Sequence, residues 1–308
     1  MKSPKRAGGP LNSAVPAERM KVAGCPVDRL SFSEAEAEIC RRIEMRVPTH
    51  VAFVNAAKVV NYRRDCGLRD ALDRADLLLA DGVPVVWASW LLGRPLPGRV
   101  NGTDLMERMI EVAAERGYRA FFLGARREVL NQAIEKLKKR HPNLLVTGSR
   151  DGYFRPEQEQ ALIAEIVGSR AQLVFLAISS PKKEVWVDEN LRCLGPIVCQ
   201  GVGGSIDVIA GITRRAPLWM QRCGLEWFFR LLQEPRRMWR RYLETNSKFL
   251  WIVGKDLAQR CFGAGNQKAA QSLQSEPSKL VRTQVDAPAE SSRRPVGSGG
   301  QESTQLAE

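Results

Sequence analysis

Six short apolar runs, each ending at a polar residue or glycine, set the fold this chain can adopt. They are Val51–Val54, Leu77–Ala80, Ala120–Leu123, Leu144–Thr147, Leu173–Ile178 and Pro196–Gln200. Continuous apolar runs this short read as strands buried on both faces, and stretches of helical periodicity separate them. The alternation predicts an α/β fold, a Rossmann-like and mostly parallel sheet with helices on both faces.

The helical stretches carry their own boundaries. Ser31 and Glu34 form a capping box that opens an amphipathic helix running to Met45. A helix is expected over 57–73 and another over Val83–Leu92, with Pro84 tolerated in the first turn. Thr103 is read as the cap of a helix that stops at Gly117. Arg126–Arg140 and a helix from Pro156 to about Gly168 complete the set. The boundaries divide the chain into a disordered extension (1–24), an α/β core (25–213), a basic aromatic helical appendage (214–262) and a disordered tail (263–308).

Composition excludes several classes. The longest apolar candidate, Phe249–Val253, falls far short of the roughly 18 residues a spanning helix needs. No apolar stretch follows the basic first residues, so a cytoplasmic chain is expected. The seven cysteines form no Cys-x-x-Cys pair, and the chain holds only two histidines. Reduced structural thiols are expected, with neither a zinc centre nor a cofactor. The excess of 47 Lys and Arg over 34 Asp and Glu, a net +13, fits nucleic acid, anionic membrane or a phosphorylated substrate.

Three strand ends carry polar groups that a parallel sheet brings to one rim: Asn55, Asp81 and the Gly201–Asp207 loop. Asp81-Gly82 reads either as turn chemistry or as a carboxylate delivered to a site. The Gly-Val-Gly-Gly-Ser loop, with Gly203 and Gly204, offers bare amides to an anion but lacks the Gly-Lys-Ser/Thr ending of a P-loop. Ser179-Ser-Pro-Lys-Lys-Glu184 offers two cations and a carboxylate, or an ordinary helix start. No Asp-x-Asp occurs, so a nucleotide diphosphate would be met by arginine, lysine and amides, with Arg99 the leading candidate.

Residues 212–260 hold eleven Lys or Arg against four Asp or Glu, hence +7 of the chain's +13. Trp219, Trp227, Phe228, Phe229, Trp239, Tyr242, Phe249 and Trp251 interleave with them, and Pro235 starts a new helix after a break. Arg230, Arg237, Arg241, Lys248 and Lys255 fall on one helical side. The segment suits an anionic bilayer or single-stranded nucleic acid. The core holds no base-reading module, so membrane is favoured and no nucleic acid is expected.

In this setting the sequence resembles the bacterial WecG/TagA/CpsF glycosyltransferases of teichoic-acid and exopolysaccharide pathways. The resemblance covers about 28–255 and rests on ordered motifs: Val-Asn at 54–55, Ala-Asp-Leu-x3-Asp-Gly-Val at 75–83, and Arg-Val-x-Gly-Thr-Asp-Leu at 99–105. Gly-Tyr-Phe at 152–154, Ser-Pro-Lys-x-Glu at 180–184 and Gly-Val-Gly-Gly-Ser-x-Asp at 201–207 continue it. Arg-Ala-Pro-x-Trp-Met-Gln-Arg-x-Gly-Leu-Glu-Trp at 215–227 and Arg-Leu-Leu-Gln-Glu-Pro-Arg-Arg at 230–237 close it.

The resemblance implies an inverting, metal-independent transfer from a UDP-sugar of the N-acetylmannosamine, uronic acid or glucose type to a lipid-linked saccharide acceptor. It implies Asp81 as general base and Arg99 on phosphate. Asp207 with Gly203 and Gly204 would hold uridine, Asn55 would line the sugar pocket, and Thr103 and Lys183 would join the substrate site. Arg230, Arg237, Arg240 and Arg241 would meet the membrane and the acceptor diphosphate, placing the protein peripherally on the inner face of the plasma membrane. The resemblance also admits a homo-oligomer, although no apolar stripe in the sequence specifies one. Phe53 stands where the family usually has threonine and Lys183 where it has glutamine, both expected to touch the donor pocket. The rival reading is a non-catalytic, membrane-tethered module that senses nucleotide sugars.

Overall fold

The computed structural model describes residues 18–222, 224–233 and 235–274. It divides into two units, 1–261 and 262–308. The first begins with β1 (Arg19–Val22) and β2 (Cys25–Asp28), followed by α1 (Phe32–Glu44), β3 (Thr49–Val54), α2 (Ala56–Tyr62), α3 (Cys66–Arg74) and β4 (Leu77–Ala80). Then come α4 (Val83–Leu91), α5 (Gly102–Arg116), β5 (Arg119–Gly124), α6 (Arg127–Arg140), β6 (Leu145–Arg150) and α7 (Glu159–Gly168). β7 (Leu173–Ala177), α8 (Lys182–Leu194), β8 (Val198–Gly201) and α9 (Ser205–Ala210) complete the core, and α10 (Leu218–Arg222), α11 (Glu226–Gln233) and α12 (Pro235–Gln274) follow.

The six expected strands form one sheet in the order β4-β3-β8-β7-β5-β6, with every pairing parallel. Its side chains alternate between two faces, as a pleated strand requires. Val51, Phe53, Leu79, Phe122, Phe175 and Val198 meet α1, α5, α6 and α9 on one side. Ala52, Val54, Leu78 and Ala80 meet α2, α3, α4 and α12 on the other, while Phe121, Leu123, Val174 and Leu176 meet α7 and α8 there. The connections after β3 and β8, which are neighbours, therefore leave to opposite faces. That divergence opens a crevice beyond their carboxyl ends, where ligands of open α/β sheets bind.

Four expectations need correction. Residues 19–24, expected to be disordered, belong to the β1–β2 hairpin. Ala23 and Gly24 turn it at φ of 50° and 81°, the left-handed pair that suits a two-residue hairpin loop. The single helix expected over 57–73 is two, because Asp65 caps α3 by accepting the Leu68 N–H at 3.0 Å. Asn101 rather than Thr103 caps α5, accepting the Thr103 and Asp104 N–H groups at 2.8 and 3.1 Å. Finally α12 runs through the expected tail boundary to Gln274, on helix-forming Ala, Gln and Lys. The tail beyond 274 and the extension before 18 lie outside the described residues.

The hairpin is fixed to the sheet edge by charge. Arg19 Nε donates to Asp28 Oδ1 at 2.7 Å, and the buried Leu78 N–H of β4 donates to Asp28 Oδ2 at 2.8 Å. Replacing Asp28 by Ala leaves both donors unmatched. Arg19 is part-exposed and recovers water, so we expect a loss of about 2 kcal/mol in urea unfolding, with Asp28→Asn losing less.

Candidate active site

Several of the expected site residues directly follow one of four adjacent strands, while Arg99 and Thr103 come after α4. Asn55 follows β3, Asp81 follows β4, Lys183 and Glu184 follow β7, and the glycine loop follows β8. Parallel pairing puts all four strand ends at one rim. The Asp81 N–H continues the ladder, donating to Val54 O at 2.9 Å, so the carboxylate is launched directly from the last rung of the sheet.

Asp81 Oδ1 accepts the Gly102 N–H at 3.0 Å. Burial is the largest influence on this carboxyl and raises its pKa above the ordinary Asp value; the Gly102 bond, Arg99 and Lys58 oppose it without cancelling it. Gly102 sits directly on Phe53: a Cβ at Gly102 would lie 3.6 Å from that ring. Phe53 itself is buried in the core. Expected to touch the donor pocket, it reaches the site through Gly102, as the floor under the amide that holds Asp81.

Asn55 caps α2, its Oδ1 accepting the Lys58 N–H at 3.0 Å, and it packs against Gly82. Arg99 pairs with Glu226 Oε2 at 2.8 Å, at the start of α11. Asn101 Nδ2 donates to the same oxygen at 3.2 Å, and Arg215 Nε lies 3.8 Å from Glu226 Oε1. Arg215 also pairs with Asp104. Glu226 thus ties the segment after the core to the loop that carries Arg99. Thr103 Oγ1 and Ser205 Oγ share a hydrogen bond of 2.8 Å, and Ser205 also donates to Val202 O, bracing the glycine loop. Gly203 adopts φ of 55°, Gly204 caps α9, and Asp207 lies in its first turn.

Sequence reasoning missed the charge cluster beneath this rim. Lys58 Nζ lies 2.6 Å from Glu184 Oε1, both buried, and Lys183 Nζ lies 3.8 Å from the same oxygen. One carboxylate therefore holds two ammonium groups. Burial opposes ionisation of Glu184, yet the two lysines outweigh it and its pKa is lowered. Burial is likewise the largest influence on Lys183, which Lys58 reinforces, lowering its pKa to about 8. Its side chain runs along the glycine loop: a Cβ on Gly201 would meet Lys183 Cε at 3.1 Å, and one on Gly203 would meet Nζ at 3.4 Å. The signal for Lys58 was a lone lysine on the apolar side of Ala56-Ala-Lys-Val-Val60. Glu226 gave no signal, since its role depends on where α11 docks.

Arg230 belongs to α11, whereas Arg237, Arg240 and Arg241 belong to α12. The break at Pro235 therefore divides the expected basic stripe, and the side chains of these four arginines lie outside the described residues. Among the described residues, no helix is long and apolar enough to cross a membrane. No group of three His, Cys, Asp or Glu side chains there is placed to hold a metal ion.

The profile of the glycosyl transferase WecG/TagA/CpsF family matches residues 20–262. An N-acetylglucosaminyldiphosphoundecaprenol N-acetyl-beta-D-mannosaminyltransferase of Bacillus spizizenii strain W23 is 38% identical over 226 residues, covering 71% of this chain and 86% of the relative. The class is that of a glycosyltransferase. The chain belongs to the WecG/TagA/CpsF family.

Holding an ionised carboxylate in this crevice destabilises the fold. A raised folded pKa means that Asp81's contribution is most favourable below its unfolded pKa and is lost as pH rises through the folded one. Asp81→Asn retains an acceptor for Gly102 and removes the charge. We expect it to be more stable than the parent at pH 7, with the gain shrinking towards pH 4, as read by urea unfolding at both values.

Proposed function

We propose that this glycosyltransferase moves a sugar from a UDP-sugar to a polyprenyl-diphosphate-linked saccharide, with inversion at the anomeric carbon and without a metal ion. The donor sugar is of the N-acetylmannosamine, uronic acid or glucose type. The acceptor reading rests on the Bacillus relative, whose name specifies an N-acetylglucosaminyldiphosphoundecaprenol substrate. One observation carries the chemistry: a strand-end carboxylate of raised proton affinity stands among Arg99, Lys58 and Lys183.

In this proposal the acceptor hydroxyl oxygen attacks the anomeric carbon while the bond from that carbon to the β-phosphate oxygen breaks. The hydroxyl proton goes to Asp81 Oδ2, and Oδ1 stays fixed by the Gly102 N–H. A base whose proton affinity lies closer to neutrality is better matched to a sugar hydroxyl than an ordinary surface aspartate. The leaving diphosphate is met by Lys183, by Arg99 released from Glu226 and by the amides of the glycine loop. Asn55 and Thr103 line the sugar side, and Asp207 contacts the uridine. The sequence holds no Asp-x-Asp pair to bridge a metal to the diphosphate, which supports the metal-free reading. The basic segment over 212–260, with Arg230, Arg237, Arg240 and Arg241, supplies the cations for the acceptor diphosphate and the inner surface of the plasma membrane in this reading.

Asp81→Asn should lower transfer by about a hundredfold or more while leaving UDP binding nearly intact, measured as acceptor-dependent UDP release with EDTA present. Unchanged turnover would remove Asp81 from the mechanism. Lys183 adds a pH signature, because its ammonium is lost as pH rises through about 8. UDP affinity measured by calorimetry should fall between pH 7 and 9 in the parent. It should be weaker and nearly flat over that range in Lys183→Gln.

A further inference from the structure

The helix that follows the candidate base is apolar on both sides. Val85, Ala88 and Leu92 point inward and are buried. Trp87, Trp90 and Leu91 point outward and are 64%, 65% and 62% exposed. These three fall at the i, i+3, i+4 spacing of a single helical stripe, and the exposed Arg94 follows just past the end of the helix, beyond the left-handed Gly93. A helix apolar all round is ordinarily enclosed by protein or lipid, yet no described residue of this chain covers these rings. The Trp90 Nε1–H is satisfied within the chain, reaching Leu96 O at 3.4 Å, which leaves its ring face as the apolar offering.

A second helix packs on the same cluster. Phe249, Ile252 and Val253 of α12 pack into the cluster that holds the inner side of α4, and Arg260 donates to Leu92 O at the end of α4. The other side of α12 leaves Leu250 and Trp251 exposed, with Lys255 Nζ 5.4 Å from the Trp251 ring centre. Two helices built on one cluster therefore each present tryptophan and leucine beside a cation. Indoles suit the boundary between headgroups and acyl chains, and Arg or Lys beside them suits anionic headgroups.

We infer that the Trp87–Trp90–Leu91 stripe of α4 is a bilayer-docking surface that inserts into the interface of an anionic phospholipid membrane beside the active-site rim. Charge selects the occupant. A second copy would set the same Arg94 and Lys255 rim against itself in a two-fold contact, whereas anionic headgroups meet it with opposite sign on a chain of net +13. Position supports it as well: α4 starts two residues past Asp81, and Trp87 lies four residues into it, a rise of about 6 Å along the helix from Val83. A membrane touching the stripe brings its headgroup layer close to the crevice. This rests on the lipid-linked acceptor proposed above, and it assigns the contact to α4 rather than to the arginines of α11 and α12 alone.

The test uses the full chain with sucrose-loaded vesicles of phosphatidylcholine, with and without 30 mol% (about one lipid in three) phosphatidylglycerol. The parent should pellet with the anionic vesicles, and the Trp87→Ser/Trp90→Ser/Leu91→Ser variant should bind them about tenfold more weakly or worse. Brominated acyl chains should quench part of the parent's tryptophan fluorescence, and Trp87→Phe/Trp90→Phe should lose most of that quenching. This second reading holds even if the triple variant fails to fold. Equal pelleting of parent and folded triple variant, or quenching unchanged by the Phe substitutions, would overturn the inference. So would a concentration-dependent dimer in sedimentation that disappears in the triple variant, because the stripe would then bind a second copy. Transfer to a detergent-dispersed polyprenyl acceptor separates the two proposals. If that transfer fails in the parent while vesicle binding still depends on the stripe, the acceptor reading falls and the docking surface stands.

Discussion

Desolvated charge at the carboxyl ends of four neighbouring strands is the condition on which the rest of the molecule depends. Asp81 is held there against the cost of burial, and Glu184 is shared between Lys58 and Lys183. Neither arrangement survives in an open loop, where water would screen the charges and relax the side chains. The fold supplies what they need: backbone amides fixed by the sheet, and helices closing both of its faces.

Each element around the rim can be understood as a support for that condition. Phe53 carries no polar group, yet its ring is the floor beneath Gly102, whose amide fixes Asp81. The β1–β2 hairpin lies away from the chemistry and still acts on it, since Asp28 ties it to Leu78 in the strand that launches Asp81. Glu226 performs the complementary task from the far end of the chain, pairing with Arg99 and holding α11 over the loop.

The acceptor proposed for this chain and the exposed aromatic stripe of α4 would share one surface logic. An enzyme with a lipid-borne substrate has to bring a water-filled crevice to a headgroup layer. Apolar side chains beside the site suit such a contact, and cations around them select its sign. The helix that bears the stripe begins immediately after Asp81-Gly82, so one stretch of backbone places both the candidate base and the stripe.

The sequence by itself determined the strands, their parallel pairing and the residues at their ends, because short apolar runs closed by Asn55, Asp81 and Gly201 admit few alternatives. It also determined most helix boundaries, where caps such as Ser31 and Gly117 act through neighbouring residues only. What it missed locally was legible in principle: the left-handed Ala23-Gly24 pair and the Asp65 cap are short-range signals. Tertiary structure alone decided that Phe53 supports the site from below, that Lys58 and Lys183 share Glu184, and that Arg99 answers to Glu226. It alone decided which side of α4 stays bare. These outcomes join residues from about fifty to more than a hundred positions apart, or depend on what covers a face, and local propensity carries no information about either.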